Sequence, residues 1–187
     1  MTEASRQSQR RWVQPALAGI LFVAANVALY LALQTEQGAR FVGSLGGYAY
    51  LGAFVVMLVA NATVVVPVPW PGILLPIAQN TDNLALVVFA SAFGSVLGES
   101  VAFFVGRSGR GVVADTRFYR WVQQQLTHPW RAFAVLFLLS APPNPLFDVA
   151  GLTAGATGLP YWMFFSAVLL ARLVRFAVLL SIGIHLL

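Results

Sequence analysis

Four ionisable side chains, Glu99, Asp148, Arg172 and Arg175, lie inside otherwise apolar runs of this chain. On insertion scales each costs roughly 2.5–3.5 kcal/mol at the centre of a membrane helix, so such residues mark a pathway or pair with one another to permit insertion. Their formal charges cancel, two acids against two arginines. Arg172 and Arg175 are three residues apart, which puts both guanidiniums on one face of a helix. A guanidinium grips phosphate oxygens bidentately and is less strongly hydrated than an ammonium. With Glu99 or Asp148 as a titratable partner, the set is suited to holding and releasing an anionic head group.

Other chemistry is poorly represented. There is no cysteine, hence no thiolate nucleophile or Cys-ligated metal, and no Ser–His pairing or phosphatase-like His/Arg set. The two histidines, His128 and His185, are far apart in sequence, so neither a metal site nor a cofactor is expected. The protein is expected not to be an enzyme.

Proline-rich breaks must position the four charges. Ser140–Gly151 reads SAPPNPLFDVAG, with Pro142, Pro143 and Pro145 around Asn144. Each proline removes an N–H donor and clashes with the preceding turn, so no smooth helix passes through. A second break, Asn61–Gly72, carries Pro67, Pro69 and Pro71 after a β-branched run. In a membrane, broken backbone is tolerated where protein buries it or where it lines a polar cavity. Asn61, Thr63, Ser140 and Asn144 at these breaks bind substrate or satisfy freed backbone groups; both readings stand.

The membrane setting follows from composition. Of 187 residues, 59% are hydrophobic and only 9% charged, against roughly 25% charged in a soluble domain. Mean hydropathy is +0.78. A soluble fold of this length has no means of hiding so much apolar surface. The net charge of +5 comes from arginines alone, clustered beside hydrophobic runs. That is the pattern of membrane topology and not of nucleic-acid binding.

The chain divides into a basic tail (1–13) and one membrane domain (14–187). Residues 14–33 read as a spanning helix, about the length that crosses ~30 Å of hydrocarbon. A signal peptide is the alternative, disfavoured by the length of the run and the lack of a small-residue cleavage site. A short polar connection, 34–44, leads to a first re-entrant hairpin, 45–80. Thr81 or Asp82 is placed to cap the next spanning helix, 84–105. Gly94, Gly98, Ala102 and Gly106 make one small-residue face on that helix, serving internal packing or a homodimer equally. Residues 106–131 form a basic, amphipathic segment with Trp121 and Trp130. A second re-entrant hairpin, 132–159, precedes the final helix, 160–187.

Positive charge prefers the cytoplasmic side, which places the N-terminus and 106–131 there and the C-terminus outside a cell membrane. The two hairpins then enter from opposite faces, the arrangement of an inverted-repeat transporter. The expected fold is an all-α integral membrane protein: transmembrane helices plus two opposed re-entrant helical hairpins.

Three motifs resemble the DedA superfamily, also called the VTT or SNARE-associated Golgi protein family. They are PVPWPG at Pro67–Gly72, GESVAFFVGRSGRG at Gly98–Gly111, and PPNPLFDVAGLTAGATGLPYWMFF at Pro142–Phe165, followed by the helix bearing Arg172 and Arg175. Together they cover Asn61 to Phe176, and the third is the most specific. The resemblance implies two opposed hairpins and movement of lipids between leaflets. Bacterial members of the family are linked to undecaprenyl-phosphate recycling and eukaryotic relatives to phospholipid scrambling. Carried over by position, Glu99 matches the acidic residue after the family glycine and Asp148 the polar position of the second hairpin. Arg172 and Arg175 match basic positions of the last helix. Many members carry Glu near Asn61 and Arg near Ser140; both are neutral here, which suits uncoupled scrambling better than proton coupling.

The expected partners are therefore membrane lipids, bound through a phosphate head group, and not nucleic acid. A small-anion or ion-coupled transporter of the same architecture is the alternative.

Overall fold

The computed structural model of the protein describes residues 21, 23–45, 47–62, 69–109, 117–142 and 146–186. The basic tail, Pro67, Pro143, Asn144 and Pro145 lie outside them. The described residues are helical, joined by short turns. In chain order the helices are α1 (Val23–Gln34), α2 (Glu36–Ser44), α3 (Tyr48–Ala62), α4 (Trp70–Gln79), α5 (Leu84–Arg107), α6 (Arg117–Gln125), α7 (Pro129–Ser140), α8 (Leu146–Ala156) and α9 (Tyr161–Leu186). Helices α5 and α9 are each long and apolar enough to cross a membrane.

Several boundaries differ from the sequence reading, each for a local reason. Residues 36–44, expected as a polar connection, are helical. The Thr35 hydroxyl caps the segment by accepting from the Gly38 N–H at 3.2 Å, and Glu36 pairs with Arg40 one turn on at 3.2 Å. The cap of α5 is Asn83, whose Oδ1 accepts from the Leu86 N–H at 3.1 Å, and neither Thr81 nor Asp82. Thr81 instead donates back to the Ile77 carbonyl, closing α4. Helix α5 runs on to Arg107 and ends at Gly109, whose φ of +69° suits a residue without a Cβ. Helix α7 starts at Pro129, at the first helical position where a missing N–H costs nothing, so 129–131 belong to it. Gly158, at φ +74°, turns the chain out of α8, with the Leu159 N–H returning to the Ala154 carbonyl.

Both expected proline-broken units have a helix on each side of the break: α3 then α4, and α7 then α8. Their packing is crossed. Helix α3 lies along α5 and α7 along α9, while the return helix α8 packs mainly on α5 and the return helix α4 packs on both α3 and α9. Helices α5 and α9 run antiparallel, since Tyr161 meets Ser100 whereas Phe165 meets Phe93. The end of α5 and the start of α9 therefore share one end of the bundle, where Arg107 donates to the Leu159 carbonyl at 3.4 Å.

The small-residue face of α5 is what lets these helices approach. A Cβ on Gly94 would overlap the Phe54 carbonyl oxygen of α3, and one on Gly98 the Leu58 carbonyl oxygen. Gly106 and Gly155 do the same between α5 and α8, against Leu152 and Phe103 respectively. The glycines are thus occupied within the chain, at backbone-to-backbone distances. Away from these contacts the surface is apolar: Leu170, Val174, Val178 and Ile182 form an exposed row along α9. Trp130 and Trp162, at the starts of α7 and α9, are exposed as in an interfacial aromatic belt. Helix α6 is amphipathic and folds back on the bundle through Val122, with Leu126 just beyond it.

Candidate functional site

Arg172 and Arg175 stand near the middle of α9, about 4.5 Å apart along its axis at 1.5 Å per residue. Arg172 forms a salt bridge with Glu99 of α5, and both side chains are almost wholly withdrawn from solvent, 6% and 4% exposed. Burying two charges is costly and is compensated only where every donor and lone pair finds a partner. Here that condition is not met. The second carboxylate oxygen of Glu99 and the Nε of Arg172 are buried without a hydrogen-bond partner, as is the Nε of Arg175. Arg175 has no carboxylate within ion-pair distance among the described residues.

The faces of both guanidiniums are covered by aromatic rings. Phe147 lies 5.5 Å from the Arg172 guanidinium. Trp70 lies 5.3 Å, and Phe176 5.9 Å, from that of Arg175. A ring face offers its negative quadrupole to the cation, which is worth more when water is excluded. Stacking of this kind leaves the N–H edges of the guanidinium for in-plane partners.

Trp70 is the first residue of α4 and Phe147 the second of α8. The leading ends of the two return helices therefore converge on adjacent arginines within a single turn of α9. Those ends carry the positive pole of the helix dipole. At α4, Pro69 precedes the helix, Pro71 sits in its first turn, and the Gly72 N–H donates to Asn26 Oδ1 at 3.1 Å. Two guanidiniums thus meet two helix N-termini, with Glu99 paired to Arg172 and Asp148 set against the N-terminus of α8.

A row of polar groups on α5 leads to it. Ser91, Ser95 and Glu99 recur every fourth residue and all three are buried. A serine in a membrane helix ordinarily bonds back to the carbonyl four residues earlier, as Ser100 does to Val96 at 2.7 Å. The Ser91 and Ser95 hydroxyls do not, and have no partner.

Of the expected site residues, Glu99, Arg172 and Arg175 come together. Asp148 does not join them by an ion pair: it is half-buried in the first turn of α8, where a carboxylate complements the helix dipole. Asn61 donates to the Met57 carbonyl at 2.7 Å and so serves its own helix. Ser140 is fully buried at the end of α7 with its hydroxyl unpartnered. Pro142 lies in the bend after α7. Trp70, Phe147, Ser91 and Ser95 went unnoticed in the sequence. The four-residue spacing of Ser91, Ser95 and Glu99 was the available signal for the serines; no sequence signal marks the aromatics.

On the opposite face of α5 from Glu99, towards its C-terminal end, an open apolar groove of about 520 Å³ is lined by Leu97, Val101, Phe104 and Val105. Its polar points are Ser108 and the Ser100–Tyr161 hydroxyl pair, 2.9 Å apart.

Comparison with known proteins finds relatives among the vacuole membrane proteins. The chain is 28% identical over 120 residues to vacuole membrane protein KMS1 of Arabidopsis thaliana, covering 52% of this chain and 28% of that protein. It is 29% identical over 100 residues to vacuole membrane protein 1 of Homo sapiens, covering 42% of this chain and 25% of the relative. The matched region thus spans about a quarter of the length of these curated relatives. No solved structure matches. The VTT domain pattern matches residues 12–185, nearly the whole chain, and the protein belongs to the VTT domain family, within the DedA superfamily.

Proposed function

We propose that the protein moves lipids between membrane leaflets, with the phosphate head group passing Arg172 and Arg175 while the acyl chains stay in the surrounding lipid. One observation carries this reading: two guanidiniums near the middle of a spanning helix, Arg172 buried and Arg175 half-buried, meet the leading ends of α4 and α8 and each keeps a buried Nε donor unspent. A lipid phosphate supplies the in-plane oxygens these donors lack. The row Ser91, Ser95 and Glu99 is a polar track for the head group, and the two return helices, acting as re-entrant hairpins from opposite faces, gate it. The substrate is a phospholipid or a polyprenyl phosphate such as undecaprenyl phosphate. No covalent step, metal or cofactor is invoked.

The same site suits a small anion carried by a secondary transporter. The exposed apolar row Leu170, Val174, Val178 and Ile182 on the arginine-bearing helix favours the lipid, because acyl chains can lie along it while a free anion has no use for it. By the distribution of arginine we place the protein in the cell membrane with 106–131 on the cytoplasmic side. The relatives carry the name of the vacuole membrane.

Reconstitution into liposomes with fluorescent phospholipid and polyprenyl-phosphate probes tests the reading. Leaflet exchange faster than in empty liposomes for at least one probe is expected. Equal rates for both probes would refute it.

A further inference from the structure

We propose that Glu99 is a built-in counter-anion: its carboxylate holds Arg172 until the phosphate of an incoming head group takes its place. The inference rests on the arginine site proposed above as the head-group position.

A pair present only to carry two charges into the membrane should satisfy every lone pair and donor it buries. The Glu99–Arg172 pair leaves Glu99 Oε2 and Arg172 Nε open although both side chains are more than nine-tenths buried. Each group is therefore held by part of its bonding capacity, and the rest is available for exchange. The neighbouring Arg175 sits one helical turn away with no carboxylate in ion-pair distance among the described residues, also with its Nε open. The three charges sum to +1, so one anion can enter without first expelling another. Arg175 is where it docks, and Arg172 is where it displaces Glu99.

Displacement needs somewhere for the carboxylate to go. Ser95 lies one turn back on the same face of α5, buried, with a hydroxyl that bonds to nothing, and Ser91 lies one turn further. A hydroxyl donating to the freed carboxylate keeps it from standing bare in a low dielectric. The exchange thus accounts for two features that otherwise lack a purpose: a half-satisfied ion pair and a row of unbonded serines leading away from it.

The sign of one substitution separates this role from a merely structural one. If Glu99 competes with the head group, Glu99→Gln lowers the stability of the unliganded protein, because Arg172 loses its counter-charge, and tightens anion binding. If Glu99 only supports the fold, the substitution leaves binding unchanged or weakens it. The measurement is the thermal unfolding midpoint of the purified full chain in detergent, titrated with dihexanoyl-phosphatidylglycerol, inorganic phosphate or neutral dihexanoylglycerol. Binding of the phosphatidylglycerol by Glu99→Gln about tenfold tighter than by the unaltered protein is expected, the scale of a single charge-assisted contact. The Glu99→Gln/Arg172→Gln double variant, which keeps only the docking position at Arg175, should bind anions more weakly than Glu99→Gln by about tenfold or more.

Equal or weaker binding by Glu99→Gln, or the same response to dihexanoylglycerol, would overturn the proposal. Should Glu99→Gln not fold, Glu99→Asp keeps the charge but shortens its reach. It should bind several-fold tighter than the unaltered protein, and unchanged binding in that variant overturns the proposal equally. If inorganic phosphate alone reproduces the pattern, the counter-anion role stands and the lipid reading falls.

Discussion

The Trp70 ring lies 5.3 Å from the Arg175 guanidinium, so the first residue of one return helix rests on a cation belonging to the opposite half of the chain. With no carboxylate near Arg175 among the described residues, Trp70 and Phe176 are what its charge meets. Cation–π contacts contribute about 0.5–2 kcal/mol, more as water is removed. Trp70→Leu is therefore expected to slow leaflet exchange roughly fivefold, while Trp70→Phe keeps most of the rate. Liposome exchange assays on the two variants side by side check this; equal rates would reduce Trp70 to a space-filling role.

The two arginines should differ in what they do for stability. Arg172→Ala strands the Glu99 carboxylate in the interior and is expected to cost about 3–5 kcal/mol, the usual penalty for breaking a buried pair from one side. Arg175→Ala strands no carboxylate and should cost clearly less. Removing Glu99 together with Arg172 should recover much of the loss. Denaturation midpoints in detergent report all three, and equal losses for the two single variants would contradict the pairing.

Substitution of the α5 glycines tests the close approach of the helices. Gly98→Val meets the backbone of α3 at Leu58, Asn61 and Ala62. Backbone does not yield as a side chain does, so a loss of about 3 kcal/mol or more is expected. Gly52, on α3, has nothing within 4 Å of where a Cβ would stand. Gly52→Ala should be neutral or stabilise by up to about 1 kcal/mol. Thermal unfolding of both variants decides the matter.

For the serine row, function and stability should separate. An unbonded buried hydroxyl contributes nothing favourable to the fold, so Ser91→Ala and Ser95→Ala should leave the unfolding midpoint unchanged or raise it slightly. The same variants should slow exchange if the hydroxyls serve the moving head group. A fall in both quantities would make the serines structural.

Much of this was legible in the sequence because membrane burial constrains residue choice so strongly. Charges in apolar runs are rare enough that Glu99, Arg172 and Arg175 stood out, and three of the four proved to be neighbours. Asp148 did not join the ion pair, because the first turn of a helix is itself a favourable place for a carboxylate. The glycine face of α5 was legible by spacing, but its partner was not, since a small-residue stripe fits any backbone. Trp70 and Phe147 were hidden for the opposite reason: aromatic residues are abundant in any membrane chain, and only the folding of two distant segments onto α9 makes these two special. Helix α2 was missed because its stability comes from a local threonine cap and an ion pair, in a stretch too polar to suggest a helix.

The crossed packing of α4 on α9 and α8 on α5 bears on how this protein can be divided. Helix α8 packs mainly on α5 of the other half, while α4 bridges α3 of its own half and α9 of the other. The dependence is unequal: 117–186 alone would leave α8 without α5, its main support, whereas α4 in 21–109 keeps its contacts with α3 and loses those with α9. A shift in α8 is thereby delivered to α5, and one in α4 to both α3 and α9, the long helices that carry Glu99 and the two arginines being reached in each case.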